Sequence, residues 1–215
     1  LFRDVFTGVD TRQKKAIPIS ELHMLLNKDP QSEKLRRTQA IANLLFQFCG
    51  MPFSDLAHLE KSNLKQGLLK YNRLKTGTPM SIEVLESAQN AIGGLYNKSD
   101  ARSSGYPDYL FRILSGAYKR NEEGAYREYQ SALRRFNNEL KSLSRKLRIS
   151  SSVTSYTLRH SWATTAKYRG VPIEMISESL GHKSIKTTQI YLKGFELEER
   201  TKVNKSNYSY VCNFK

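Results

Sequence analysis

The segment from residue 125 to 147 constrains this chain more than any other. Tyr126, Tyr129, Leu133, Phe136, Leu140, Leu143 and Leu147 recur at steps of three and four. A helix of about 3.6 residues per turn puts such positions on one stripe, whereas a strand would divide them between two faces. The spacing therefore predicts a helix from about Ala125 to Leu147 with all seven residues turned towards a core. The other faces carry Arg134, Arg135, Lys141, Arg145, Lys146 and Arg148, with Glu139 as the lone acid among them. A basic face is usually just solvated. It becomes a phosphate-binding face only where other residues argue for a polyanionic partner.

The remaining pattern is read in the same way. Leu22, Leu25 and Leu26 predict a short helix over Glu21–Asn27, with Ser20 as its N-cap. Ser32 opens a second helix through Leu35, Ile41, Leu44, Leu45 and Phe48, which Gly50 and Pro52 end. Leu68–Leu74 and Thr78–Val84 read as strands joined by a hairpin turn at Lys75, Thr76 and Gly77. Residues 85–97 read as helix. The polar stretch from Lys98 to Gly124 contains one apolar island, Tyr109–Leu114, read as a short helix. Three helical pieces follow at Tyr156–Tyr168, Pro172–Leu180 and Ile185–Tyr191. Pro172 suits a first helical turn and Gly181 a C-terminal stop. The fold class is thus mostly α with a small antiparallel β-sheet near residues 66–84. Residues 1–16 read as a linker, 17–195 as the main domain, and the aperiodic 196–215 as a tail.

Composition narrows the partner. Lys and Arg number 35 against 20 Asp and Glu, a net charge of +15. That excess is far beyond what solubility needs and favours capture of polyanions, nucleic acid first. A membrane surface fits less well, because the basic residues are spread along the chain and do not flank an apolar anchor. No apolar run approaches the ~18 residues of a membrane span, and no secretory start is present. Cys49 and Cys212 form neither a metal-ligand spacing nor a disulfide framework, which points to a reducing, cytoplasmic setting. Because the chain begins at Leu1 and not at Met, a piece of a longer protein is expected.

The chemistry-bearing residues lie in the last third. TLRHSWATTA contains Arg159 and His160; LGHKSIKTTQIY contains His182 and, nine residues on, Tyr191. Order, spacing and residue type together resemble the signature of the tyrosine recombinase (phage-type integrase) family. The hairpin turn KTG resembles that family's lysine turn, and GMPFSDLAHL its first conserved box, so the resemblance spans most of residues 17–195. It implies the catalytic-domain fold of DNA breaking-rejoining enzymes, preceded in such enzymes by a separate N-terminal DNA-binding domain to which residues 1–16 would be the linker. It also implies a double-stranded DNA partner, assembly as a homo-tetramer on paired sites, and no cofactor or metal.

The chemistry accounts for these residue types. Negative charge grows on the non-bridging oxygens as a phosphodiester is attacked, and positioned guanidinium and imidazole groups stabilise it. Arginine grips two oxygens with a planar fork and keeps its charge. By the resemblance, Tyr191 attacks and holds the 3′-phosphate, Arg159 clamps its oxygens, His182 hydrogen-bonds it, and Lys75 protonates the departing 5′ oxygen. His160 would buttress Arg159. Two positions depart from the family pattern. Tyr156 stands where a His is usual, and its hydroxyl can still donate. The first-box arginine is missing: Pro52 holds the usual place, and Cys49 the place it takes in a branch reading Arg-Gly-Met-Pro-Phe. Arg73, on the face of Lys75 if the strand is regular, is the candidate replacement. Two other classes compete, a catalytically impaired DNA-binding relative and a basic RNA-binding protein. The second lacks the aromatic sheet motif or GXXG loop of such modules.

Overall fold

Where the sequence steps by three and four, the chain is helical. The structure, a computed structural model, describes residues 16–98, 105–192 and 197–213, with residues 190, 191 and 197–199 by backbone alone. Helices α1 (Ile19–Asn27), α2 (Glu33–Gln47) and α3 (Phe53–Ala57) come first. A 3-10 turn, Lys61–Asn63, leads into strands β1 (Leu64–Lys65), β2 (Leu68–Asn72) and β3 (Pro79–Glu83), paired antiparallel in that order. Then follow α4 (Glu86–Leu95), α5 (Glu123–Lys146), α6 (Ser155–Tyr168), α7 (Ile173–Ser179), α8 (Ile185–Tyr191) and α9 (Leu197–Cys212). The mostly helical class with a small antiparallel sheet is the one expected; β1 is an addition, too short to show a period of two. Among the described residues no helix is long and apolar enough to cross a membrane.

Helix α2 is the hub, with α1, α4, α5 and α6 packed on it. Its Leu44 and Leu45 are fully buried, and its buried Thr38 donates to Glu139 Oε2 on α5 at 2.9 Å. Phe53 of α3 stacks on Phe136 of α5 with ring centroids 4.8 Å apart. Leu44, Leu45, Phe53 and Phe136 belong to one large core. A second, smaller cluster of Ala163, Ile176, Leu180 and Leu192 joins α6, α7 and the residue after α8.

Several local expectations are corrected. Ser20 lies inside α1, and the N-cap is Pro18, whose carbonyl accepts the first helical bond from Leu22 at 2.8 Å. Pro172 likewise stands at the N-cap of α7 and not within its first turn. Tyr126 is 64% exposed: it sits at the edge of the α5 stripe, and the buried face runs through Ala125 and Ala132 instead. The island Tyr109–Leu114 is no helix. Tyr109 bridges Glu60 and Phe111 bridges Tyr96, while Leu110 donates to Leu59 and accepts from Asn97. A six-residue segment gains little from helix formation, so partners from distant chain segments decide its backbone. The aperiodic tail contains α9, whose residues 200–212 are all exposed; with no buried face, no apolar period was there to read. The linker expected at residues 1–16 lies almost wholly outside the described residues.

Candidate active site

Arg159 is fixed by the way α6 begins. Thr154 caps the helix through reciprocal bonds, accepting from Thr157 N at 3.2 Å while Thr157 Oγ1 accepts from Thr154 N at 2.8 Å. One turn later the Arg159 guanidinium is buried, with Nη1 donating to Gly50 O at 2.8 Å and Nη2 to Leu180 O at 2.6 Å. Gly50 has φ +64, and a Cβ there would stand 3.2 Å from both Arg159 Cα and Trp162 Cβ. Glycine lets the chain leaving α2 lie directly on α6 and present its carbonyl to the arginine.

Arg73 reaches the same place from the sheet. Its Nη1 donates to Leu180 O at 2.6 Å, so two guanidiniums share one carbonyl. Its Nε donates to Asp55 Oδ2 at 3.1 Å, a pair buried on both sides. The other Asp55 oxygen accepts from Leu74 N at 3.3 Å. Next to Leu180 stands Gly181, at φ +64; a Cβ on it would collide with Arg73 Cδ at 2.4 Å and Met80 Sδ at 2.7 Å. The geometric premise that put Arg73 and Lys75 on one face does not hold. Strand β2 ends at Asn72, and a turn closes between Arg73 and Thr78 (Arg73 N to Thr78 O, 2.9 Å), with Arg73 turned in and Lys75 exposed. Thr76 Oγ1 lies 3.5 Å from Gly181 O, which keeps this lysine turn against the site.

His182 follows the glycine stop of α7 and completes the group. Its Nε2 is 3.2 Å from Arg159 Nη2, and its Nδ1 is 2.8 Å from Thr188 Oγ1 on α8. Burial first, then the positive charges of Arg159, Arg73 and Lys75, push its pKa down to about 4. The imidazole is therefore neutral at neutral pH. Helix α8 is capped by Ser184, whose hydroxyl accepts from Lys186 N, and its last residue is Tyr191. Just beyond, Lys167 of α6 donates to Leu192 O at 2.9 Å. The Tyr191 side chain lies outside the described atoms.

The structure thus brings Arg159, His182 and Arg73 together, with Lys75 close enough to act on the His182 charge. Tyr156 is exposed on the first turn of α6 and His160 is half-buried on the same helix. Cys49 is half-buried beside Gly50 at φ +55, and burial raises its thiol pKa, so it supplies no charge. Among the described residues no cluster of three or more His, Cys, Asp or Glu gathers that could hold a metal. Sequence reasoning missed Asp55, Thr188, Lys167 and the Leu180 carbonyl. Asp55 stood in GMPFSDLAHL, yet its partner is 18 residues away and no local pattern links them.

A mostly helical domain with a three-stranded antiparallel sheet is the fold that solved recombinase and integrase structures share with this chain. Its fold matches a crystal structure of XerA recombinase with a TM-score of 0.64 at 22% identity, covering 93% of this chain and 66% of that one. It also matches the Tn1549 transposon integrase in complex with a circular intermediate DNA (TM-score 0.62, 15% identity, 91% and 67% covered). The chain belongs to the phage integrase family, whose profile matches residues 16–197. Among curated relatives, a probable integrase/recombinase of Methanocaldococcus jannaschii is 28% identical over 204 residues, 92% of this chain and 58% of that protein. Tyrosine recombinase XerD of Halalkalibacterium halodurans is 30% identical over 189 residues, 84% and 57% respectively. The chain spans somewhat more than half the length of both.

Proposed function

We propose that this chain is the catalytic part of a site-specific recombinase that cuts and rejoins double-stranded DNA through a 3′-phosphotyrosyl bond on Tyr191, working as a homo-tetramer on paired sites. The observation that carries the reading is the meeting of two buried guanidiniums at the Leu180 carbonyl, with a neutral imidazole 3.2 Å from one of them. Among the described residues, Asp55 pairs with Arg73, and two guanidiniums set against that carboxylate suit the group to receive an anion. Arg159 and Arg73 would hold the non-bridging oxygens, Arg73 standing in for the first-box arginine that Cys49 and Pro52 lack. Its Nε and Nη1 are engaged, and Nη2 is the nitrogen these bonds leave over.

In this reading the reaction has two steps. Tyr191, whose unperturbed pKa is near ~10, loses its proton to water and attacks as its anion, a form that the Arg159 and Arg73 cations would favour. A bond forms between its oxygen and phosphorus, the bond from phosphorus to the 5′ oxygen breaks, and that oxygen takes a proton from the Lys75 ammonium. The phosphotyrosyl ester conserves the bond energy, so a 5′ hydroxyl from another strand can reverse the step and release Tyr191.

Cys49 favours a second reading, an impaired relative that binds DNA without cutting it, because a neutral thiol replaces a charged fork. One experiment separates the two. The full chain is incubated with a pool of nicked suicide duplexes of randomised sequence. A covalent adduct that disappears in Tyr191→Phe supports the enzyme; salt-sensitive binding with no adduct supports the impaired relative. Adduct formation unchanged in Arg73→Ala would remove Arg73 from the site, and Cys49→Arg in the same assay measures what the missing fork costs.

A further inference from the structure

A fully buried hydroxyl, Thr188 Oγ1, lies on the helix that ends in Tyr191, three residues before it. Its hydrogen-bond partner is His182 Nδ1, at 2.8 Å. The direction of that bond follows from the other side of the ring. A guanidinium only donates, so the approach of Arg159 Nη2 makes His182 Nε2 an acceptor. A neutral imidazole then carries its hydrogen on Nδ1 and gives it to Thr188.

A phosphate oxygen in the catalytic state only accepts. To engage it, His182 must carry a hydrogen on Nε2, the reverse of the arrangement seen here. Charging the ring would supply that hydrogen, but Arg159 from α6, Arg73 and Lys75 from the hairpin surround the ring and oppose a further positive charge. The uncharged route is a change of tautomer, with Nδ1 losing its proton to water, Nε2 taking one from water, and Nδ1 becoming an acceptor. Of the common side chains, a hydroxyl serves both forms, because it accepts from Nδ1–H and donates to bare Nδ1.

We infer that Thr188 is a positioning residue that acts through His182, its hydroxyl allowing the imidazole to turn from acceptor to donor with no change in charge. This rests on the reading that His182 contacts a phosphate. Because Thr188 belongs to α8, its bond to His182 also exists only while the Tyr191 helix is docked. The donor state of the imidazole is thereby coupled to the placement of the nucleophile.

Two variants and two readouts test this. Thr188→Val keeps the shape and removes the hydroxyl; Thr188→Ser keeps the hydroxyl. With the full chain and the randomised nicked duplexes, Thr188→Val should form the phosphotyrosyl adduct about ten-fold or more slowly at unchanged duplex binding. Thr188→Ser should stay close to wild type. An unchanged rate in Thr188→Val, or a loss in Thr188→Ser as large as in Thr188→Val, would overturn the inference in favour of methyl packing. The second readout needs no activity: ring 15N shifts of DNA-free protein at neutral pH should show a neutral His182 protonated on Nδ1 in wild type and Thr188→Ser. A hydrogen on Nε2, or a charged ring, overturns the assignment even if Thr188→Val fails to fold. Should wild type form no adduct on any duplex, the phosphotyrosyl reading fails separately, and the ring spectra still decide whether Thr188 receives the His182 proton.

Discussion

The two sides of the candidate site are supported very differently. Arg159 and Arg73 are rooted in the large core, the first through α6 packed on α2, the second through Asp55 beside the Phe53–Phe136 stack. His182 and the backbone of Tyr191 depend on α7 and α8, two helices of seven residues each, whose apolar support among the described residues is Ala163, Ile176, Leu180 and Leu192 with the half-buried Trp162, Ala166 and Val171 around them. Regions with few buried apolar contacts open at lower free energy than the core they border. The two guanidiniums are thus tied to the larger core, and the helix that ends in Tyr191 is attached by a smaller cluster and a few polar ties.

This contrast can be broken or sharpened by substitution. The largest effect is expected where the main core meets the site. Asp55→Ala leaves the buried Arg73 charge without its carboxylate and should cost about 3–5 kcal/mol in urea unfolding. Next, Leu140→Ala in the large core should cost about 2–5 kcal/mol and lower the global unfolding midpoint. Ile176→Ala in the small cluster should instead raise amide exchange locally in α7 and α8 with a smaller midpoint change; equal midpoint losses would mean that the two regions unfold as one. Gly181→Ala combines a left-handed backbone with the Arg73 and Met80 collisions and should cost about 1–3 kcal/mol, with Arg73 drawn off Leu180 in a crystal structure of the variant.

A further effect concerns acid. Folded His182 stays neutral down to about pH 4, whereas the unfolded chain protonates it near 6.5. As pH falls, the unfolded state binds this proton first, so the contribution is intact above about pH 6.5 and is lost between 6.5 and 4. Unfolding midpoints of wild type and His182→Gln measured across that window should differ in slope, with the variant flatter.

How much could be read in advance follows from how local each signal is. The α2 and α5 helices and the β2–β3 hairpin announce themselves through periods of 3.6 and 2, because each buries one face. The Tyr109–Leu114 island was misread because its backbone partners, Leu59, Leu95 and Asn97, come from other parts of the chain. The site divides in the same way. Arg159 and His182 were legible in short motifs, and the structure puts their side chains 3.2 Å apart. Arg73 was singled out from the missing first-box arginine, but on the premise of a strand running regularly to Lys75, and nothing local shows that β2 stops at Asn72. Asp55 and Thr188 act through side-chain partners that no spacing rule connects to them.

The carbonyl of Leu180 has a consequence for how the two cations stand. With two guanidiniums aimed at its partial negative charge, their orientation is set by the backbone before any anion arrives. The backbone oxygen therefore works as a tether, holding both cations to one point while Arg73 Nη2 stays outside these bonds.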